Sequence, residues 1–530
     1  LSKFVGGCAF VLLCVVQLVI GLYLVAGLRL DVWNVRVLWC IPVSVFLFSV
    51  FYSVSTVAGL RWRSPILAIG ITTIFGTICL VVGLIGGFFD GLVKRPDQLQ
   101  GLAIAGDSLF GSTRGGGLVR FDGKENTWVE IFESSAMSPD RVLMPITLND
   151  TTVATARVRG GRFNPFGSGS LDLLVLSEAD QWSPEPSLRL PTATSWLHRA
   201  GNDVLALNTG ELAVTSVDSI LLAAGQPSDA DSESKADDQE NPNEQKGWLE
   251  KLTGMMGGVT SGFNAVLPGQ MAITPPRGIV VDPQGKWLLA ISRGRLVRLE
   301  RPDDGAASPW KLTAEQTLEG EASRRSVLAL SGTALLVARA EEPIRLLDAA
   351  SLELIEEVEL PSALAPVTAR GIGGSGRFAL VTSDERCRIV TARGEGDAIS
   401  KPLKIRQVQA VHADLASDAL YLIHHIDQID ELDSDDFSVR QRIRPSLARW
   451  RLVDRYVISP LRMIIPQTGE LGETTAAMVS GKSAVAFQSG PGSEDEELHR
   501  YKILRPVASC ATFIVVMLTI GCVYFATRDF

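Results

Sequence analysis

The sequence predicts a multidomain membrane protein: an α-helical transmembrane bundle, four spans of it visible, with an all-β, propeller-type soluble domain inserted before the last span. Three observations predict this. Residues 4–28, 37–60, 66–89 and 506–527 are apolar and contain no Asp, Glu, Lys or Arg, and each reaches the ~20 residues a helix needs to cross a bilayer core. The long polar stretch between the third and fourth consists of short β-branched runs separated by Gly, Asp, Ser and Pro. Within it, a turn-then-strand pattern recurs at a spacing of roughly forty to fifty residues, the size of a four-stranded blade.

The chain therefore divides into three spans in residues 1–92, a soluble domain in 93–455, a juxtamembrane segment in 456–505 and a final span in 506–527. Only helices and closed barrels satisfy their own backbone polar groups in lipid. A buried core helix rarely runs so long without a charge. Trp33, Trp39 and Trp62 fall at span ends, where an amphipathic ring suits the headgroup layer. The first apolar run is too long for a signal peptide and lacks a small-residue cleavage site. Leu1 standing directly before a span leads us to expect further sequence upstream.

Arg61 and Arg63 mark a tight turn between the second and third spans, a candidate cytoplasmic turn. Basic residues on the opposite side (Arg29, Arg36, Lys94, Arg95, Arg500, Lys502, Arg505) outnumber those beside this turn. Taken alone, that places the insert in the cytoplasm, although long domains cross membranes largely regardless of charge.

Several membrane motifs carry a resemblance. Gly27-Leu-Arg-Leu-Asp-Val-Trp-Asn34, Phe46-Leu-Phe-Ser-Val-Phe-Tyr-Ser-Val-Ser55 and Arg61-Trp-Arg-Ser-Pro-Ile-Leu-Ala68 resemble the second half of ATP-binding-cassette type-2, exporter-type permeases. The stretch Tyr456-Val-Ile-Ser-Pro-Leu-Arg-Met-Ile-Ile-Pro-Gln-Thr-Gly-Glu470 before the last span and the ending Tyr524-Phe-Ala-Thr-Arg-Asp-Phe530 are similar too. The resemblance covers about 160 residues and excludes the insert. It implies six spans with both termini inside, of which these are the third to sixth. It also implies a plasma (inner) membrane location, pairing as a homo- or heterodimer of permeases, and a separate ATPase subunit that binds ATP. The insert then lies outside the cytoplasm, against the charge count, and is far longer than that family's usual loop.

In the insert, Val281-Asp-Pro-Gln-Gly285 suits a turn with Pro second and Gly fourth. Related turn-strand patterns begin at Gly106, Gly201, Gly332, Gly374 and Ser417. They predict a propeller of about six to eight blades, with a pair of β-sandwiches as the alternative. Residues 227–246 are rich in Asp, Glu and Ser and predict a disordered acidic linker. Trp248, Leu249, Leu252, Met255 and Met256 follow at helical spacing.

Residues 456–470 set Ile458, Leu461, Ile464 and Ile465 beside Arg455 and Arg462. The segment is too short to span, so a short or broken helix in the membrane interface is expected, with Pro460 and Pro466 disfavouring one continuous helix. The propeller's closing strand is the other reading.

Catalytic signatures are missing. A phosphate loop ending at Gly481-Lys-Ser483 fails because Ala476 stands where its first glycine belongs. His424, His425, Asp427, Asp430 and Asp433 form the only His/carboxylate cluster, a composition that a solvated turn also gives. Arg157, Arg159 and Arg162 sit around Gly160 and Gly161, as an anion grip or a solvated turn. Asn149-Asp-Thr151 has the form of a glycosylation sequon. Cys387 is the insert's single cysteine, so no disulfide forms within it. The net charge of −9 argues against nucleic acid. No catalytic, cofactor or metal residue is expected. Two functions remain: a permease subunit whose extracytoplasmic propeller binds a ligand or protein partner, or a membrane-anchored propeller that serves as an interaction or sensor protein without transport.

Overall fold

The computed structural model describes residues 2–527 except 136–140, 159–170, 192–193, 208–210, 226–261, 268–270, 272, 274–277, 293, 303–308, 319–325, 362–363, 393–397, 415–417, 447–448, 482–483, 489–495 and 502. The chain forms two compact units, Leu1–Val93 with Leu447–Phe530, and Lys94–Ser446. The acidic linker 227–246 and the helical spacing at 248–256 lie outside the described residues.

The first unit contains α1 (Ser2–Leu30), α2 (Cys40–Trp62), α3 (Pro65–Phe89) and a final helix, Leu504–Ala526. All four are long and apolar enough to cross a membrane. Local chemistry sets their boundaries. Arg63 adopts a left-handed φ of 51° and donates its N–H to Gly59 O at 2.9 Å, ending α2. Ser64 then caps α3 through Leu67 N, and Pro65 occupies the first turn, where its missing N–H costs nothing.

Between soluble domain and final span, the chain runs through Arg449–Val453, a π-turn at Asp454–Ile458 and Ser459–Ile464 without leaving the helical state. No single continuous α-helix forms over 456–470, in keeping with the short or broken helix expected: a π-turn interrupts it just before Pro460. A proline ring clashes with the carbonyl four residues back, and the wider π-turn just before it provides the room. Pro466 does follow the helix end. A ten-residue helix, Leu471–Ser480, and the hairpin Ala484–Gln488/Glu496–Arg500 complete the segment. The closing-strand alternative is excluded.

The second unit is a seven-bladed β-propeller, the multidomain fold class expected from sequence. Blade 1 is β1–β4 (residues 99–132), blade 2 β5–β9 (141–189), blade 3 β10–β13 (196–265) and blade 4 β14–β17 (279–317). Blade 5 is β18–β21 (326–358), blade 6 β22–β24 (366–391) and blade 7 β25–β28 (408–443). All pairing within blades is antiparallel. Innermost strands meet innermost strands of neighbouring blades, as β18 meets β22 and β22 meets β25.

Each blade buries both faces. Successive residues of β19 show how: Leu335 and Val337 pack against blade 4, whereas Leu336 and Ala338 pack against blade 6. Seven apolar clusters result, one in each gap between neighbouring blades. A strand buried on both sides reads as a continuous apolar run. The outer strands face water and read as polar, as in Lys311–Thr317 and Val439–Ile443.

The pattern read from sequence is the turn between the first and second strands. Gly106, Gly201, Gly285, Gly332 and Gly376 all have positive φ there. At Gly201 a second constraint applies, because an added Cβ would stand 3.1 Å from Gln284 O of the adjoining blade's turn. In blade 2 the same turn is Asn149–Thr151, where Asn149 Oδ1 accepts from Thr151 N at 2.9 Å.

The ring closes without exchanging a strand. Leu99 N donates to Ile426 O at 2.9 Å, Trp128 Nε1 to Asp427 O at 3.1 Å, and Asn126 Nδ2 to Arg444 O at 2.9 Å. Leu99 and Leu102 pack with Ile423, Ile429 and Ile443. A polypeptide of Lys94–Ser446 should therefore fold alone, giving a β-type circular dichroism spectrum and one cooperative melt. Starting at Gly101 instead removes Leu99 from the closing cluster and should lower the melting temperature by several degrees.

Candidate functional site

Two places concentrate polar chemistry, one in each unit. In the propeller, the innermost strands β10, β22 and β25 carry His198, Arg370 and His412. His198 stacks on Trp196 of its own strand, ring centroids 5.3 Å apart. Both imidazoles are pushed down to about 4, first by burial and then by the positive charge of Arg370; Asp414 offsets this partly at His412. At neutral pH the centre of the ring thus holds a guanidinium near two uncharged imidazoles, each with one N–H to donate and one nitrogen to accept.

In the helical unit, Arg462 is gripped by Asp90 Oδ2 at 2.8 Å and Glu470 Oε1 at 2.7 Å. Burial opposes its charge, but the two carboxylates outweigh that and hold its pKa above the ordinary arginine value. Its guanidinium lies over Gly86 of α3, where an added Cβ would come within 2.8 Å of Nε. The loop after it continues inward: Thr468 hydrogen-bonds the Cys79 thiol, and Leu471 packs with Val50 and Cys510. The helix Leu471–Ser480 then ends on the first connection, with Asn34 Nδ2 donating to Val479 O at 3.3 Å and Arg36 Nη1 to Ser480 O at 3.0 Å. A cation suits the negative end of the helix dipole.

The residues singled out from sequence are placed as follows. Arg61 lies over the Trp62 ring at 5.6 Å, and Arg63 is the left-handed cap. Ile458 is buried, Ile465 is half-buried, and Leu461 and Ile464 are exposed. The His/carboxylate cluster is taken up by structure. Asp430 is shared between His424, at 3.3 Å, and Arg444, while Asp433 binds Arg440 at 2.5 Å. Among the described residues no group able to hold a metal forms. Arg157 covers the Phe132 ring at 4.9 Å, whereas Arg159, Arg162 and the glycines between them lie outside the described residues. Gly481 is the left-handed cap of a helix C-terminus, the wrong end for a phosphate loop, and Lys482 and Ser483 are likewise outside. Cys387 is fully buried between blades 6 and 7, which pushes its thiol up to about 12.

Sequence reasoning missed both polar centres. His198, Arg370 and His412 are far apart in the chain and sit in no motif. The Arg462 triad escaped because charges were sought inside spans, and it is assembled from their flanks.

No family model matches the chain, and no curated protein sequence is similar to it. Among solved structures it aligns with a chain of the mitotic checkpoint complex (9% identity, 65% of this chain and 93% of that one, TM-score 0.41). It also aligns with the β-propeller domain of Cps50 (Swd1) from Myceliophteria thermophila (12% identity, 63% and 97%, TM-score 0.41). A third is PorZ, a bacterial surface component of the type-IX secretion system of Porphyromonas gingivalis (13% identity, 66% and 38%, TM-score 0.39). At these values the likeness extends to none of their functions.

The histidines make acid stability a test of this polar centre. Unfolded, they titrate near 6.5; folded, only near 4. Above 6.5 both states are neutral and the native advantage is intact. Between 6.5 and 4 the unfolded chain takes up protons that the fold refuses, so stability falls with pH. Melting temperatures of the propeller should decline over this window, with a shallower slope in the His198→Asn/His412→Asn variant. In the helical unit, Arg462→Ala removes the guanidinium that Asp90 and Glu470 share. It should cost about 1–3 kcal/mol in detergent melts, less than a fully buried pair because the site keeps some exposure. Asp90→Asn added to it should restore part of the loss.

Proposed function

We propose that this membrane-anchored propeller is an interaction platform that presents a binding surface for a protein or peptide partner beside the bilayer. One observation carries it: a complete seven-bladed ring, with a cation and two neutral imidazoles at its centre, is inserted between helices able to span a membrane. The imidazole N–H groups, in the positive field of Arg370, suit an anionic or carboxylate-bearing group of that partner. Among the described residues no metal cluster forms.

A permease subunit working with a separate ATPase chain is the second reading. It is favoured by the Asp90–Arg462–Glu470 triad and the polar loop packed among spans, because ionisable groups at membrane depth commonly mark transport pathways.

Photo-crosslinkers in the full-length protein separate the two. Probes at Asp107 and Thr333, in turns between first and second strands, should trap one discrete partner in membranes. Probes at Lys311 and Glu315 on an outer strand should trap none, and Arg370→Glu should abolish the adduct. Uniform labelling at all positions, or none anywhere, would remove the platform. A stably co-purifying ATPase whose turnover falls with Arg462→Ala would establish the permease.

A further inference from the structure

The helical stretch formed by Arg449–Val453, Asp454–Ile458 and Ser459–Ile464 is inside-out. Its inward positions, spaced three or four apart, are Arg451, Asp454, Ile458 and Arg462. Three of those four are charged. Most of its exposed positions are large and apolar: Trp450, Val453, Val457, Leu461 and Ile464, with Met463 79% exposed beside them and Arg455 the exposed charge. A helix on a water-soluble protein does the reverse, turning its apolar stripe to the core. So much contiguous apolar surface on a soluble protein would be a liability.

We propose that this stretch is a membrane-embedded collar whose outward face lies in the acyl-chain and headgroup boundary of the bilayer. The proposal rests on the membrane-spanning role of the four apolar helices and adds a fifth lipid-contacting element to them. Depth supports it. Gly86, under Arg462, stands about 32 Å along α3 from Pro65 at ~1.5 Å per residue, near the far edge of a hydrocarbon core about 30 Å thick. Cys79, bonded to Thr468, is about 21 Å from Pro65 by the same rise, so the loop after the collar dips below that edge. At its start the collar joins the lipid-facing surface of the spans: Trp450 meets Phe89 edge-on at 6.5 Å, beside the exposed Phe88. Of the collar's charges, Arg462 is held by Asp90 and Glu470, while the exposed Arg455 has a side chain long enough to carry its head to the headgroup layer.

The test uses the full-length protein in liposomes, with Cys8, Cys14, Cys40 and Cys522 replaced and the buried cysteines kept. An environment-sensitive fluorophore is attached through single substitutions Val457→Cys, Met463→Cys, Lys124→Cys or Val515→Cys. Labels at 457 and 463 should be quenched several-fold more by spin-labelled lipid than the label at 124, and several-fold less by aqueous iodide. Iodide quenching at 457 and 463 equal to that at 124 would overturn the collar, and so would shielding from both quenchers, which means a protein surface covers the face. Position 515 on the final span is the separate check: lipid quenching there with none at 457 and 463 rejects the collar alone, whereas none at 515 rejects the spans themselves.

Discussion

The packing of apolar side chains in the gaps between blades is the interaction on which the propeller depends. No blade is stable by itself, because each is a small sheet with two apolar faces. Burial of Leu335 against blade 4 and Leu336 against blade 6 makes adjacent residues of one strand hold two different neighbours. At roughly 25 cal/mol per Å² of apolar surface removed from water, this dominates the directional contacts. It also explains why closure matters. An open ring would leave two apolar faces in water, and the seventh gap is sealed by Leu99, Leu102, Ile423, Ile429 and Ile443. Polar bonds from Asn126 and Trp128 fix the register of that last contact. Satisfying backbone carbonyls at the seam also keeps the closing edge from presenting unpaired groups.

The helical unit solves the opposite problem with the same chemistry. Its surroundings do not reward burying leucine, since lipid is as apolar as a core, so small residues and polar contacts bring the helices together. Val50, Ala58 and Ala68 are buried where α2 meets its neighbours, while bulky residues such as Phe10, Ile66 and Leu84 face outward. Arg462 belongs to the same logic. Inside a water-soluble core an ion pair gains little over apolar packing. Beside lipid, where the alternative is an unpaired charge, Arg462 ties the collar to the end of α3 through Asp90 and to the start of the helix Leu471–Ser480 through Glu470.

Much of this was legible in the sequence because water and lipid leave different signatures. Span lengths and the absence of charge predicted the four helices, and the turn residues of six blades were visible as Gly or Asp before a strand. Blade 2 was missed because its turn uses Asn149 and Thr151, whose mutual hydrogen bonds do the work of a glycine. What single positions could not show was convergence. His198 and His412 each read as an ordinary strand residue, and only the ring places them near Arg370. Pro460 and Pro466 pointed to a short, interrupted helix, but residue type alone did not specify that the interruption would be a widened π-turn.

A propeller can occupy one inter-span connection because both units close at their own ends. Within the β unit, Leu99 bonds beside Ile426 and Ser446 N donates to Asn126 O at 2.8 Å, so the strands that begin and end the ring are neighbours. Within the helical unit, Asp90 binds Arg462 and Phe89 meets Trp450, so the two points where the chain departs and returns are also held together. Neither unit needs the other to bridge its own gap. An insertion at such a site adds little loop-closure entropy to its host, since that cost grows only logarithmically with length when the ends are already fixed. The clamp is then the element that makes the insertion tolerable. It holds α3 and the returning helix in contact whether the connection between them is short or, as here, an entire seven-bladed ring.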